Sequence, residues 1–324
     1  MNRYLSLDYI RVFGVMGIVL CHCCFGIEGM SFLGKFLGNT FNVVFLTLSA
    51  FLLGLSWEAK GNKPYKVNFL RHRIGKLLYS YYPFLVVMFA FMSIIGQNFS
   101  TKDIIMHVCL LPWFDKLAGF GHLWFITMIL ICYIGIFIAS KASMIRSKIS
   151  IVLMIVGSIL TQIVLGLIGQ PNYIFIYLFL YIGVWANAKI ILELAKGIQL
   201  IPIGMITLLA FVVVIALSFY GMLDKYTSVW SGVLCAILFF LLANRVFQNA
   251  EPNRVINFIS MISFEIYLVH HVFCFGKWSL FNYIDNPLLG ILSIGLFSIC
   301  LAYTLHWIGN KLQDVLLRKP FLGE

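Results

Sequence analysis

Apolar residues fall in long blocks separated by short polar stretches that hold most of the charge. The blocks run roughly 17–25 residues, the length a helix needs to cross a ~30 Å hydrocarbon core. We place them at about 9–27, 39–57, 77–95, 122–140, 149–168, 171–187, 201–219, 228–245, 257–275 and 287–309. Blocks of this kind must be helical, because only a helix satisfies each backbone N–H and C=O within its own segment. The strict alternation of a membrane β-barrel is absent. The segment 96–121 differs. Ser100 and Asp103 have capping-box spacing, and Ile104, Ile105, Val108 and Leu111 share a face opposite Lys102 and His107, which predicts an interfacial helix. The pattern predicts an all-α integral membrane protein, a single domain over 1–324 built as a bundle of about ten transmembrane helices.

Composition and charge refine that picture. Hydrophobic residues make up 61% of the chain and charged residues 11%, more apolar surface than a soluble domain can bury. With the N-terminus inside, 17 of the 23 basic residues fall on cytoplasmic segments and only Lys35, Lys102, Lys116, Lys225 and Lys277 on outer ones, leaving Arg11 at the mouth of the first span. The cytoplasmic set includes Arg3, Arg146 and Lys319. This bias puts both termini in the cytoplasm and the chain in the cytoplasmic (inner) membrane as a multi-pass protein. The net charge of +11 therefore reflects topology and contact with anionic membrane lipid, not nucleic acid. One loop exceeds that account: residues 58–76 carry six cations in nineteen positions, which also suits a polyanionic cytosolic ligand. The first span has no small-x-small cleavage site and contains ionisable residues, so it does not read as a signal peptide. Of eight cysteines only Cys109 lies outside the predicted spans, so no disulfide framework is indicated. In Cys21-His22-Cys23-Cys24 consecutive helical residues point about 100° apart, and no second ligand pair completes a tetrahedron, so we predict no metal.

Ionisable groups within a membrane are costly and are candidates for function. Arg11 and His22 are eleven residues apart, three turns plus about 20°, so both project from one helix face about 16 Å apart along the axis. Arg11 lies near the cytoplasmic mouth and His22 deeper, which suits a long anionic donor entering from the cytoplasm. Two plainer readings stand beside this one: Arg11 snorkels and pairs with Asp8, or His22 bonds between helices. In the ninth span Glu265 needs a cation, a proton or a set of hydrogen bonds; it suits orienting His22, accepting from a sugar hydroxyl, or a structural protonated role. By depth His22 and His270 are level. His122 and Trp124 open the fourth span, where a Trp is an interfacial anchor or a carbohydrate-stacking surface. His271 reads as interfacial. Arg71 and Arg73, at i and i+2 in a local extended turn, suit bidentate phosphate contacts or positive-inside retention.

These pieces resemble the membrane acyltransferase-3 family, over most of the chain. The resemblance lies in Leu7-Asp8-Tyr9-Ile10-Arg11 followed by ten residues and His22, and in Phe45-Leu-Thr-Leu-Ser49-Ala50-Phe51-Leu52-Leu53. It continues in Phe69-Leu-Arg71-His-Arg73 followed by Tyr82-Pro83, in His122-Leu-Trp124-Phe125, and in Ile266-Tyr267-Leu268-Val-His270. Ala50 stands where the family usually has glycine, which removes no reactive group. The chain looks like a stand-alone form, without the family's optional extracytoplasmic esterase-like domain.

The resemblance implies transfer of an acyl group, commonly acetyl, from cytosolic acyl-CoA to a hydroxyl on a glycan or other acceptor. Acyl-CoA is then a co-substrate, and no cofactor is permanently bound. A sugar hydroxyl is a poor nucleophile, and an imidazole titrating near neutrality can take its proton as it attacks the thioester, which makes His22 the general base. Glu265 joins it as a catalytic candidate. Arg11, Arg71, Arg73 and Ser49 are the donor-binding candidates, and His122, Trp124 and His270 the acceptor-binding ones. Direct transfer and a covalent acyl-His22 intermediate both stay open. The competing function is a transporter or flippase for a glycan or lipid-linked intermediate; the lack of an internal repeat weighs against duplicated halves, and a pure scaffold leaves the in-membrane charges unexplained.

Overall fold

The computed structural model describes residues 4–318 except 95, 115, 116, 118, 142–147, 168–173 and 277. The basic residues Arg3, Lys116, Arg146, Lys277 and Lys319, used above to orient the chain, lie outside the described residues. The fold is helical: α1 (Leu5–Gly26), α2 (Ser31–Ala59), α3 (Val67–Ile94), α4 (Thr101–Val108), α5 (Trp124–Ala139), α6 (Lys148–Leu167), α7 (Ile174–Ala186), α8 (Ala188–Gly197), α9 (Leu200–Phe219), α10 (Lys225–Val246), α11 (Arg254–Met261), α12 (Ser263–Val269), α13 (His271–Cys274) and α14 (Pro287–Arg318). Among the described residues, 7 helices are long and apolar enough to cross a membrane, or 8 if a bent pair counts as one span. The chain is a multi-pass membrane protein.

The expected count of about ten is not reached on that criterion, for identifiable reasons. The predicted span 171–187 runs into a 76° bend between α7 and α8. The predicted span 257–275 is three short helices, α11, α12 and α13, interrupted at Ile262 and His270. The helix α6 occupies the fifth predicted span but does not enter the count. Between spans, α4 carries the predicted capping box: the Ser100 hydroxyl accepts from Asp103 N–H, and the Asp103 carboxylate accepts from Ser100 N–H. Its orientation is the reverse of a helix burying its apolar face in protein. Ile104, Ile105 and Val108 are exposed while His107 is fully buried, its ring edge-on to Phe89 and Phe120. That is the arrangement of a helix whose apolar face meets lipid and whose polar residue is solvated by protein.

Two compact units are present. The first comprises Met1–Lys66 and Met128–Ser260. In it α2 is central, packed by α1, α7, α9 and α10. Small residues allow the approach: a Cβ at Gly54 would lie 2.2 Å from the Trp185 carbonyl oxygen, so α2 meets the end of α7 backbone to side-chain-less backbone. The long α9 buries little: Ile201 and Met205 are 75% and 67% exposed, surface that only acyl chains make tolerable. At its start α10 is capped by Asp224, whose carboxylate accepts from the N–H groups of Tyr226 and Thr227.

The second unit comprises Val67–Thr127 and Met261–Glu324. Here α14 packs on α3 and on α12. A Cβ at Gly309 would meet Ser80 Oγ at 3.0 Å and the Tyr79 carbonyl oxygen at 3.1 Å, so α14 and α3 approach closely one turn from His306. The broken segment holds because it is enclosed by protein: Glu265, Ile266, Tyr267 and Leu268 are all buried.

Candidate functional site

In the first unit, α1 is continuous, so Arg11 and His22 do share one helix. Arg11 also takes up the plainer pairing foreseen for it. Its Nη1 lies 3.5 Å from Asp8 Oδ1 and donates to Ser260 Oγ at 2.9 Å, while that hydroxyl donates to Asp8 Oδ1 at 2.7 Å. The three side chains tie α1 to α11. The Arg11 side chain is 30% exposed.

His22 is half-buried, and its Nδ1 is 3.0 Å from the Ile18 carbonyl oxygen one turn earlier. A carbonyl only accepts, so the proton sits on Nδ1 and the basic lone pair on Nε2. The helix thereby sets the tautomer of its own imidazole. Ser49, on α2, shares a 2.8 Å hydrogen bond with the Tyr181 hydroxyl of α7, next to the fully buried Ala50.

In the second unit, Arg71 and Arg73 depart from expectation. Both lie inside α3, which starts at Val67, so they are helical and not in an extended turn. At i and i+2 they point about 200° apart, and Arg71 is exposed while Arg73 is half-buried. The two side chains therefore leave α3 from nearly opposite sides.

Glu265 finds its partners close by. Its Oε1 accepts from the Ser80 hydroxyl of α3 at 2.7 Å and from His306 Nδ1 of α14 at 3.0 Å, with Glu265 5% exposed. Hydrogen bonds that a mid-span carboxylate requires are thus supplied by His306 and Ser80.

His122, His270 and His271 form a buried group. The His122 ring stacks on His271 at 4.4 Å and meets His270 edge-on at 5.5 Å. His122 Nε2–H donates to the Leu268 carbonyl at 3.0 Å, and His270 Nδ1–H to that of Ile266 at 3.0 Å. The Tyr267 hydroxyl donates to the His122 carbonyl. His271, expected at the interface, is buried in this stack. Trp124 is half-buried and edge-on to Trp113 at 5.2 Å, the more open of the acceptor-binding candidates. No group of three metal-ligating side chains is assembled among the described residues.

The structure thus brings Arg11 to Asp8 and Ser260, and Glu265 to Ser80 and His306, and it gathers His122 with His270. Sequence reasoning missed Ser80, Ser260 and His306. The signal for His306 was there: a single imidazole in the last apolar block, five residues before Lys311, and an in-membrane carboxylate still lacking a partner.

No curated protein and no solved structure matches the chain. A family model described as an acyltransferase domain matches residues 4–307, which takes in α1 with Arg11 and His22, Ser49, the two arginines of α3, Glu265 and His306. A match over nearly the whole length, on a helical membrane fold that carries the motifs in order, establishes that the chain is a membrane acyltransferase and belongs to the acyltransferase-3 family.

Proposed function

We propose that the protein moves an acyl group, acetyl in the first instance, from cytosolic acyl-CoA to a hydroxyl of a cell-surface glycan or related acceptor. The observation that carries this reading is the Nδ1–H bond of His22 to Ile18, which leaves the imidazole lone pair on Nε2. As general base, Nε2 takes the acceptor's hydroxyl proton while the oxygen attacks the thioester carbonyl; collapse of the tetrahedral intermediate expels the CoA thiolate, which the imidazolium protonates. Arg11, Arg71 and Arg73 attract the donor's phosphates. Because the two α3 arginines diverge, each contributes a separate contact. Ser49 belongs with the donor, and His122, Trp124 and His270 with the acceptor. The loop 58–76, rich in cations, fits the cytosolic origin of the donor.

Purified protein given labelled acetyl-CoA and a deacetylated envelope polysaccharide tests this. Wild type should transfer label, and His22→Ala should lower kcat by about 10²–10⁴-fold. Equal transfer by His22→Ala would remove the general-base assignment. Envelope glycans from cells with and without the gene should differ by the mass of one acyl group.

A further inference from the structure

Both hydrogen bonds to Glu265 arrive at the same oxygen. Ser80 Oγ–H and His306 Nδ1–H point to Oε1, at 2.7 Å and 3.0 Å. The other oxygen, Oε2, is buried and has no hydrogen-bond partner among the described residues. Buried carboxylate oxygens are rarely left so, because the group loses hydration and gains nothing in return. Since Oε1 only accepts, any proton on this carboxyl sits on Oε2. Oε2 therefore requires a donor when the group is ionised and an acceptor when it is not. A hydroxyl supplies both. The carboxyl plane is fixed from two sides, by Ser80 on α3 and His306 on α14, at the place where Gly309 lets those helices approach.

We propose that His306 and Ser80 are positioning residues that hold Glu265 so that Oε2 binds a hydroxyl of the acceptor substrate. This rests on the acyltransferase reading above. Glu265 is then a specificity-determining contact: it ranks acceptors by the presence of a hydroxyl at one position, while His306 acts only through it.

The test uses the full chain in lipid nanodiscs with acetyl-CoA as donor and deacetylated envelope polysaccharide as acceptor, following CoA release. His306→Phe should raise the acceptor KM about tenfold, the loss of one ordinary hydrogen bond, with the acetyl-CoA KM unchanged. His306→Asn, which keeps an N–H donor near the Nδ1 position, should restore most of the loss. Ser80→Ala should shift the acceptor KM in the same direction, and serves if His306→Phe does not fold. Adding His306→Phe to Glu265→Gln should cost nothing further. An active wild type whose variants change kcat or melting temperature with the acceptor KM unmoved, or whose two changes multiply, overturns the inference alone. A wild type that releases no CoA overturns the acyltransferase reading and the inference with it.

Discussion

Arg11 shows how a single side chain carries two demands. Ser260 and Asp8 take part of its guanidinium, and that contact ties α1 to α11. Phosphate binding would use the exposed part of the side chain. The two demands separate by substitution. Asp8→Ala should lower stability by about 1–3 kcal/mol, since it strips partners from a part-buried cation and a buried hydroxyl, and should leave the acetyl-CoA KM unchanged. Arg11→Ala should cost stability by a similar amount and also raise the acetyl-CoA KM by about tenfold. Thermal melting and steady-state kinetics on the same two proteins measure both. Equal donor KM for the two variants would make Arg11 purely structural. The same accounting explains what was legible at this scale. The Asp8–Arg11 pairing follows from i, i+3 spacing, so the sequence exposes it. Ser260 and Ser80 do not, because hydroxyls are too common in apolar helices to be singled out without the fold that faces them to a charge.

Among the elements, local chemistry was readable and tertiary breaks were not. The Ser100-x-x-Asp103 capping box forms as the spacing predicts, because both bonds close within four residues. Ser100→Ala should raise amide exchange across 101–104 of α4, with a loss of about 1 kcal/mol at that helix start. The two interruptions of the ninth predicted span, at Ile262 and His270, fall in a stretch without Gly or Pro. Neither helix breaker is present to mark the breaks, so periodicity does not reveal them. The extended turn expected at Arg71 failed for a related reason: α3 begins nearly three turns earlier than hydropathy implies, because its polar first turns are helical without being apolar. Close packing gives a sharper test at Gly54. A methyl there meets the Trp185 carbonyl oxygen at 2.2 Å and Ala188 Cβ at 2.6 Å, and a backbone oxygen cannot swing aside as a side chain can. Gly54→Ala should therefore destabilise the first unit by about 1–3 kcal/mol, read as a lower melting temperature in detergent, despite the better helix propensity of alanine.

For the whole molecule, the side on which the chain ends depends on whether the broken segment α11–α13 crosses the membrane. If the seven long helices, the bent α7–α8 pair, α6 and this segment each cross once, the number of crossings is even and the C-terminus returns to the side of the N-terminus. If α11–α13 were re-entrant, the number would be odd and α14 would end outside. Irregular backbone at membrane depth is stable where protein encloses it, and the α12 residues from Ser263 to Val269 are buried apart from Phe264, which suits a crossing and a re-entrant segment alike. The end of α14 carries Lys311 and Arg318, with Lys319 following, cations that resist translocation and match the excess on the other predicted inner segments. A green fluorescent protein fused after residue 324 should therefore fluoresce, and alkaline phosphatase fused there should be inactive. Phosphatase fused after Gln97, in the segment leading to α4, should be active. An active phosphatase at the C-terminus would make α11–α13 re-entrant and place Glu265 on a segment that enters and leaves by one face.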